Sequence, residues 1–117
     1  MRRKGLLKWT LAALLICSAH NAKALNATRC VFLAKAYELH LQDPATLSQS
    51  QAFDAAFFLG YVAGFVGAER SFTLPRESTL ADWANIVGRF AKTHPELHDR
   101  SRAECVFKAL TEAFQQA

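Results

Sequence analysis

The sequence predicts a small all-α bundle of about four helices behind an N-terminal export leader, and three observations carry that prediction. Apolar residues recur at i, i+3, i+4 spacing in four separate stretches, and no stretch shows convincing strand alternation. Two of these stretches are preceded by a Ser/Thr with a polar partner three residues on, Ser48/Gln51 and Thr79/Asp82, the spacing of a capping box. All three prolines fall between the stretches, where a helix can stop without losing an internal hydrogen bond.

Residues 1–24 are set apart from the domain. MRRKGLLK is a basic n-region, Trp9 to Ala19 an apolar h-region, and Ala22-Lys23-Ala24 a cleavage signal, the order of a secretory signal peptide. The apolar run of about a dozen residues is too short to span roughly 30 Å of hydrocarbon. Lipidation at Cys17 is disfavoured by the bulky Ile16 before it. The expectation is a mature helical domain of residues 25–117 in the periplasm, with no membrane association after cleavage.

Removing the leader changes the charge and the cysteine count. Five of the fourteen basic residues (Arg2, Arg3, Lys4, Lys8, Lys23) leave, so nine remain against ten acidic ones, a net charge of −1 with His neutral. A basic nucleic-acid surface loses its support. Cys17 leaves as well. Cys30 and Cys105 remain, and two cysteines in an exported chain are expected to pair, two buried thiols being the other option. Such a bridge would close a loop of about 75 residues, worth roughly 4.5 kcal/mol on the loop-entropy model.

The first helix is read from about Thr28 to Leu41, with Cys30, Leu33, Ala34, Tyr37 and Leu41 on one face and Asp43-Pro44 ending it. The second starts at Ser48. Phe53, Ala56, Phe57, Gly60, Tyr61, Gly64 and Phe65 form its stripe, while Phe58, Leu59, Val62 and Val66 make the opposite face apolar too. The uncharged run from Ala55 to Ala68 is short for a membrane span, so burial at the centre of the bundle is expected, with part of the helix covered in a homodimer. Gly60 and Gly64 each cost about 1 kcal/mol of helix propensity, which close approach of another helix beside Tyr61 would offset. Gly67 offers the helix end, and a loop containing Pro75 follows. The third helix starts near Thr79 with a stripe of Leu80, Trp83, Val87, Phe90 and Ala91, and Pro95 breaks it. The last runs from about Asp99 to Phe114, with Ala103, Val106, Phe107, Leu110 and Phe114 as its seam.

Chemistry is sparse. GYVAG lacks the G-x-G-x-x-G spacing of a dinucleotide loop, and no cofactor is expected. His94 and His98 have the i, i+4 spacing of paired metal ligands, with Glu96 and Asp99 nearby, but Pro95 lies between them and helix junctions more often supply caps and turns. Cys-His nucleophilic chemistry would need a free thiolate, which a bridge removes. No catalytic residue is assigned.

Five pieces then fall in one order: GYVAG (60–64), a loop proline at Pro75, STLADWANIVGRF (78–90), THPELH (93–98) and VFKALTEAF (106–114). Together they resemble the Rap/Tai family of type VI secretion immunity proteins over residues 52–114. Two positions depart from the family pattern. A cysteine commonly sits before the G-Y pair and another before the loop proline, where this chain has Phe58/Leu59 and Leu74. The family bridge between that helix and that loop is therefore absent, and a Cys30–Cys105 bridge would replace it.

The resemblance implies an exported, helical, often dimeric binding protein with no enzymatic activity, which covers the active-site groove of a cognate peptidoglycan amidase toxin. Under that reading the candidate contact surface is the loop of residues 67–79: Glu69, Arg70, Ser71, Phe72, Leu74, Arg76, Glu77 and Ser78, with Phe72 or Leu74 at the tip. A merely solvated connection is the alternative for that loop. The THPELHDR junction is a second candidate surface. Two other functions fit a chain of this kind: a periplasmic acid-stress chaperone of similar small helical build, and an orphan helical binding protein.

Overall fold

Helix starts in this chain are fixed by two different kinds of cap, one local and one from the far end of the sequence. In the computed structural model, which describes residues 27–69, 71 and 73–114, four helices form: α1 Cys30–His40, α2 Gln49–Ala68, α3 Leu80–Thr93 and α4 Arg102–Phe114. Residues 1–24, which the sequence reads as a leader, lie outside the described residues. Short 3-10 turns, Pro44–Thr46 and Pro95–Leu97, complete the connections. Among the described residues no strand forms beyond one isolated bridge between Arg29 and Ser101.

The local caps are the two boxes. Ser48 Oγ accepts from Gln51 N–H and Gln51 Oε1 from Ser48 N–H at the head of α2. Thr79 and Asp82 exchange the same pair of bonds at the head of α3. Each box satisfies donors that a helix end otherwise leaves orphaned.

At α1 the cap comes from elsewhere. Arg29 supplies no side-chain cap; instead Cys30 N–H donates to Arg100 O at 2.8 Å and Val31 N–H to His98 O at 3.2 Å. Arg102 N–H returns a bond to Thr28 O at 2.8 Å. This exchange holds residues 99–101 out of helical form, which is why α4 begins at Arg102 and not at Asp99. The Cys30–Cys105 disulfide (S–S 2.08 Å, Cα–Cα 5.6 Å) ties the same two chain ends together.

α1 is the central helix. It packs against α2, α3 and α4, and its Cys30, Leu33, Ala34, Ala36 and Tyr37 are buried. This corrects the expectation that the second helix would be central. α2 is apolar all round, and that pattern cannot say which side faces the bundle. Phe58 and Val62 are its buried residues, on the face opposite the stripe read from the sequence. That stripe is split: Phe53 is 67% exposed and Ala56, Gly60 and Gly64 are exposed, whereas Phe57 meets Phe32 of α1 and Tyr61 and Phe65 pack half-buried against the core. Among the described residues nothing lies within 4 Å of the Cβ position of Gly60 or Gly64. By length and composition alone α2 could cross a bilayer; its seat on α1 and α3 through Phe58 and Val62 makes it a helix of the bundle.

Close approach occurs instead at Gly88 of α3. A Cβ there would fall 2.1 Å from Tyr37 Cγ and within 2.5 Å of both Cδ atoms. Tyr37 thus lies flat on the α3 backbone, its hydroxyl 3.2 Å from Asn85 Oδ1. The α4 seam is also rotated from its expected position. Cys105, Val106, Ala109 and Leu110 are buried, whereas Ala103 is exposed and Phe107 is 40% exposed. Gly67 does not terminate α2, which runs one residue further with no left-handed glycine and ends at an extended Glu69.

Candidate functional site

The connection between α2 and α3 is ordered at its second half by a short chain of hydrogen bonds. Pro75 begins a turn in which Ser78 N–H donates to Pro75 O at 3.0 Å. Ser78 Oγ donates to the same carbonyl at 2.6 Å and accepts from Trp83 Nε1 at 2.9 Å. One hydroxyl, with its single proton and a lone pair both in use, therefore links the turn to the first turn of α3. Thr79, the next residue, is the α3 cap. The turn cannot rotate without breaking the Ser78 bonds and loosening the helix start.

Arg76 and Glu77 stand at the tip of this turn, exposed, with no partner among the described residues. At the other end of the loop, Glu69 Oε1 accepts from Ser71 N–H at 3.1 Å and Ser71 Oγ at 2.9 Å. Leu74 is half-buried and so is not a projecting tip. Arg70 and Phe72, the other expected contact residues, lie outside the described residues. The loop thus presents two opposite charges on a pinned turn.

The histidines of THPELH have a structural task. The last carbonyls of α3 lack intrahelical donors. His94 Nδ1 lies 2.8 Å from Phe90 O, with the ring stacked on Phe90 at 3.9 Å. His98 Nε2 lies 2.9 Å from Ala91 O. A carbonyl only accepts, so in each ring the nitrogen facing it carries a proton. The two imidazoles cap the carboxyl end of α3, and no group of three His, Cys, Asp or Glu side chains able to hold a metal occurs among the described residues.

The side of α2 that carries its stripe is the second notable surface, with its rings half-buried, Phe53 apart, and its small residues exposed. Phe53, Phe57, Tyr61 and Phe65 form a ladder with successive ring centroids 6.3, 6.3 and 6.5 Å apart. Arg102 places its guanidinium over Phe57 and Tyr61, at 5.1 and 4.5 Å from their centroids. Beside the ladder runs an exposed track of small residues at spacing four: Ala52, Ala56, Gly60, Gly64 and Ala68. Helical periodicity found the stripe, but it could not say that Phe57 and Tyr61 turn to α1 and α4 while the small residues stay exposed.

The described residues thus form a disulfide-stapled helical scaffold with a pinned, exposed turn between α2 and α3. The chain belongs to the Rap1a immunity proteins, whose family model matches residues 13–115. No curated protein and no solved structure gives a match.

Proposed function

We propose that this immunity protein is exported to the periplasm, where it binds a cognate type VI secretion peptidoglycan amidase toxin and inhibits it by covering the active-site groove. The pinned Pro75–Ser78 turn carries this reading. Its two exposed charges are held before any partner arrives, so little conformational entropy is lost on binding. Arg76 and Glu77 would make charge-assisted contacts with the toxin, Glu69 and Ser71 a flanking one. Residues 1–24 act as the cleaved leader, and N-terminal sequencing of the exported protein should begin at Leu25.

The reading is tested with the amidase toxin encoded beside the gene, assayed on purified cell-wall sacculi. Stoichiometric mature protein should abolish cleavage near one binding unit per toxin; neither inhibition nor binding would overturn it. Arg76→Ala and Glu77→Ala should each weaken toxin binding by about 1–2 kcal/mol. Both side chains are exposed and unpartnered, so thermal stability should stay within about 0.5 kcal/mol of the parent. Loss of binding accompanied by unfolding would count against a contact role.

A second copy of the chain covers the exposed small-residue track of α2 in this proposal. The helix is about 30 Å long, it carries no charge from Ala55 to Ala68, and it sets an aromatic ridge beside a track of small residues. Related by a twofold axis, the small-residue track of one copy lies against that of the other, with the exposed Phe53 at its edge. Gly60→Leu/Gly64→Leu should then convert a dimer to a monomer in sedimentation. It should not unfold the chain, because the space above both glycines is open. A dimer that survives this double substitution would place the interface elsewhere.

A further inference from the structure

Between the carboxyl-terminal part of α3 and α4 lies an open cleft of about 630 Å³ that neither the loop nor the α2 face uses. Phe90, Leu97 and Phe107 give it apolar walls, and Phe107 is 40% exposed beside it. Its polar groups are mostly acceptors. Glu96, from the 3-10 turn, and Glu112, from α4, both line the cleft, and neither has an ion-pair partner among the described residues. Lys108, the cation on this wall, is paired with Glu104 at 3.4 Å. Thr111 Oγ1 is buried in the wall with no hydrogen-bond partner. His94 lines the same wall, with its Nδ1 turned to Phe90 O.

We infer that this cleft receives an arginine side chain of a protein partner. Two carboxylates without an ion-pair partner among the described residues, set beside apolar walls, call for a ligand with a positive charge, several donors and an apolar stem. The Phe90–His94 stack adds a flat π surface on the same wall. A guanidinium offers five donors in a plane and stacks on aromatic faces, whereas an ammonium is a compact point charge with three donors. The aliphatic stem of the arginine would lie along Leu97 and Phe107. The cleft and the Arg76–Glu77 turn are separate surfaces, so either can serve a partner without the other.

The test uses the mature chain and three tripeptides, acetyl-Gly-Arg-Gly-amide, its lysine counterpart and its citrulline counterpart, titrated against amide and methyl NMR signals. The arginine peptide should bind saturably, with a dissociation constant on the order of millimolar, and should shift signals of Leu97, Phe107 and Thr111 first. Citrulline keeps the shape and loses the charge, and should bind roughly tenfold more weakly. Glu96→Gln/Glu112→Gln should also lose about tenfold while the remaining spectrum is preserved, since both side chains are exposed. Equal binding of citrulline, shifts scattered outside the cleft, or a double variant that binds like the parent would overturn the site. A lysine peptide as tight as the arginine one would overturn the assignment to arginine.

Discussion

Gly88→Ala is expected to destabilise the domain by about 3 kcal/mol, although alanine is the better helix former. The added methyl would meet Tyr37 at the base of its ring, at 2.1 to 2.5 Å from three ring atoms. Those atoms are the stiff root of the side chain, so a small rotamer adjustment cannot clear them. Either Tyr37 leaves a site in which it is only 3% exposed, or α1 moves off α3 and opens the centre of the bundle. Overpacking of this kind costs about 1–3 kcal/mol and sometimes more, and expelling a buried aromatic belongs to the 3–5 kcal/mol class. The gain in helix propensity, roughly 1 kcal/mol, offsets only part of this. Urea denaturation of Gly88→Ala, Tyr37→Ala and the double variant would check the account. Because the alanine methyl fills space the tyrosine vacates, the double variant should be more stable than the sum of the single losses predicts. Strict additivity would mean that the two residues do not compete for one volume. A Gly60→Ala control has open space around it and should be neutral or slightly stabilising in the monomer.

The contrast between Gly88 and Gly60 shows what the sequence could and could not tell. Both capping boxes were legible because a cap and its partner are three residues apart and need nothing else. The Cys30–Cys105 pair was legible by count. Orientation was not. The two faces of α2 are equally apolar, so only the positions of α1 and α3 decide that Phe58 and Val62 go inside and Phe53 outside. The α4 seam misled for a related reason. Phe107 sits at the right spacing, but the disulfide fixes Cys105 inward and turns the helix so that Val106 and Ala109 follow it. Gly88 carried no local signal at all, because its constraint is a ring 51 positions earlier. For the candidate site, Pro75 and the charges at Arg76 and Glu77 could be read directly. The Ser78–Trp83 bond that pins them could not, since either side chain has other partners within reach in an unfolded chain. For the histidines the junction was read as caps and turns more than as ligands; His94 reaches Phe90 O within its own turn, while His98 reaches Ala91 O only through the course of the chain after Pro95.

Loss of the disulfide is the larger expected effect. Cys30→Ala/Cys105→Ala should cost up to about 4.5 kcal/mol, the loop-entropy value for a bridge across 75 positions. Alanine is the appropriate replacement because both sulfurs are fully buried. Serine would add unsatisfied buried hydroxyls at roughly 1–3 kcal/mol and blur the comparison. The backbone bonds that join residues 28–31 to residues 98–102 remain in the variant and keep the native geometry available. They form only on folding, however, and so do nothing to restrict the unfolded chain, which is where the bridge acts. That distinction has its own readout. Removing the cross-link expands the unfolded ensemble, so the denaturant slope should rise along with the fall in midpoint. A small domain has only about 5–15 kcal/mol in hand, so the variant should be marginal or unfolded at 37 °C. Wild-type protein kept reduced should behave in the same way and should fail to protect against a toxin it otherwise inhibits. A midpoint unchanged by both reduction and substitution would show that the α1–α4 backbone exchange and the Leu33, Tyr37 and Leu110 core suffice, and that the bridge is dispensable for the fold.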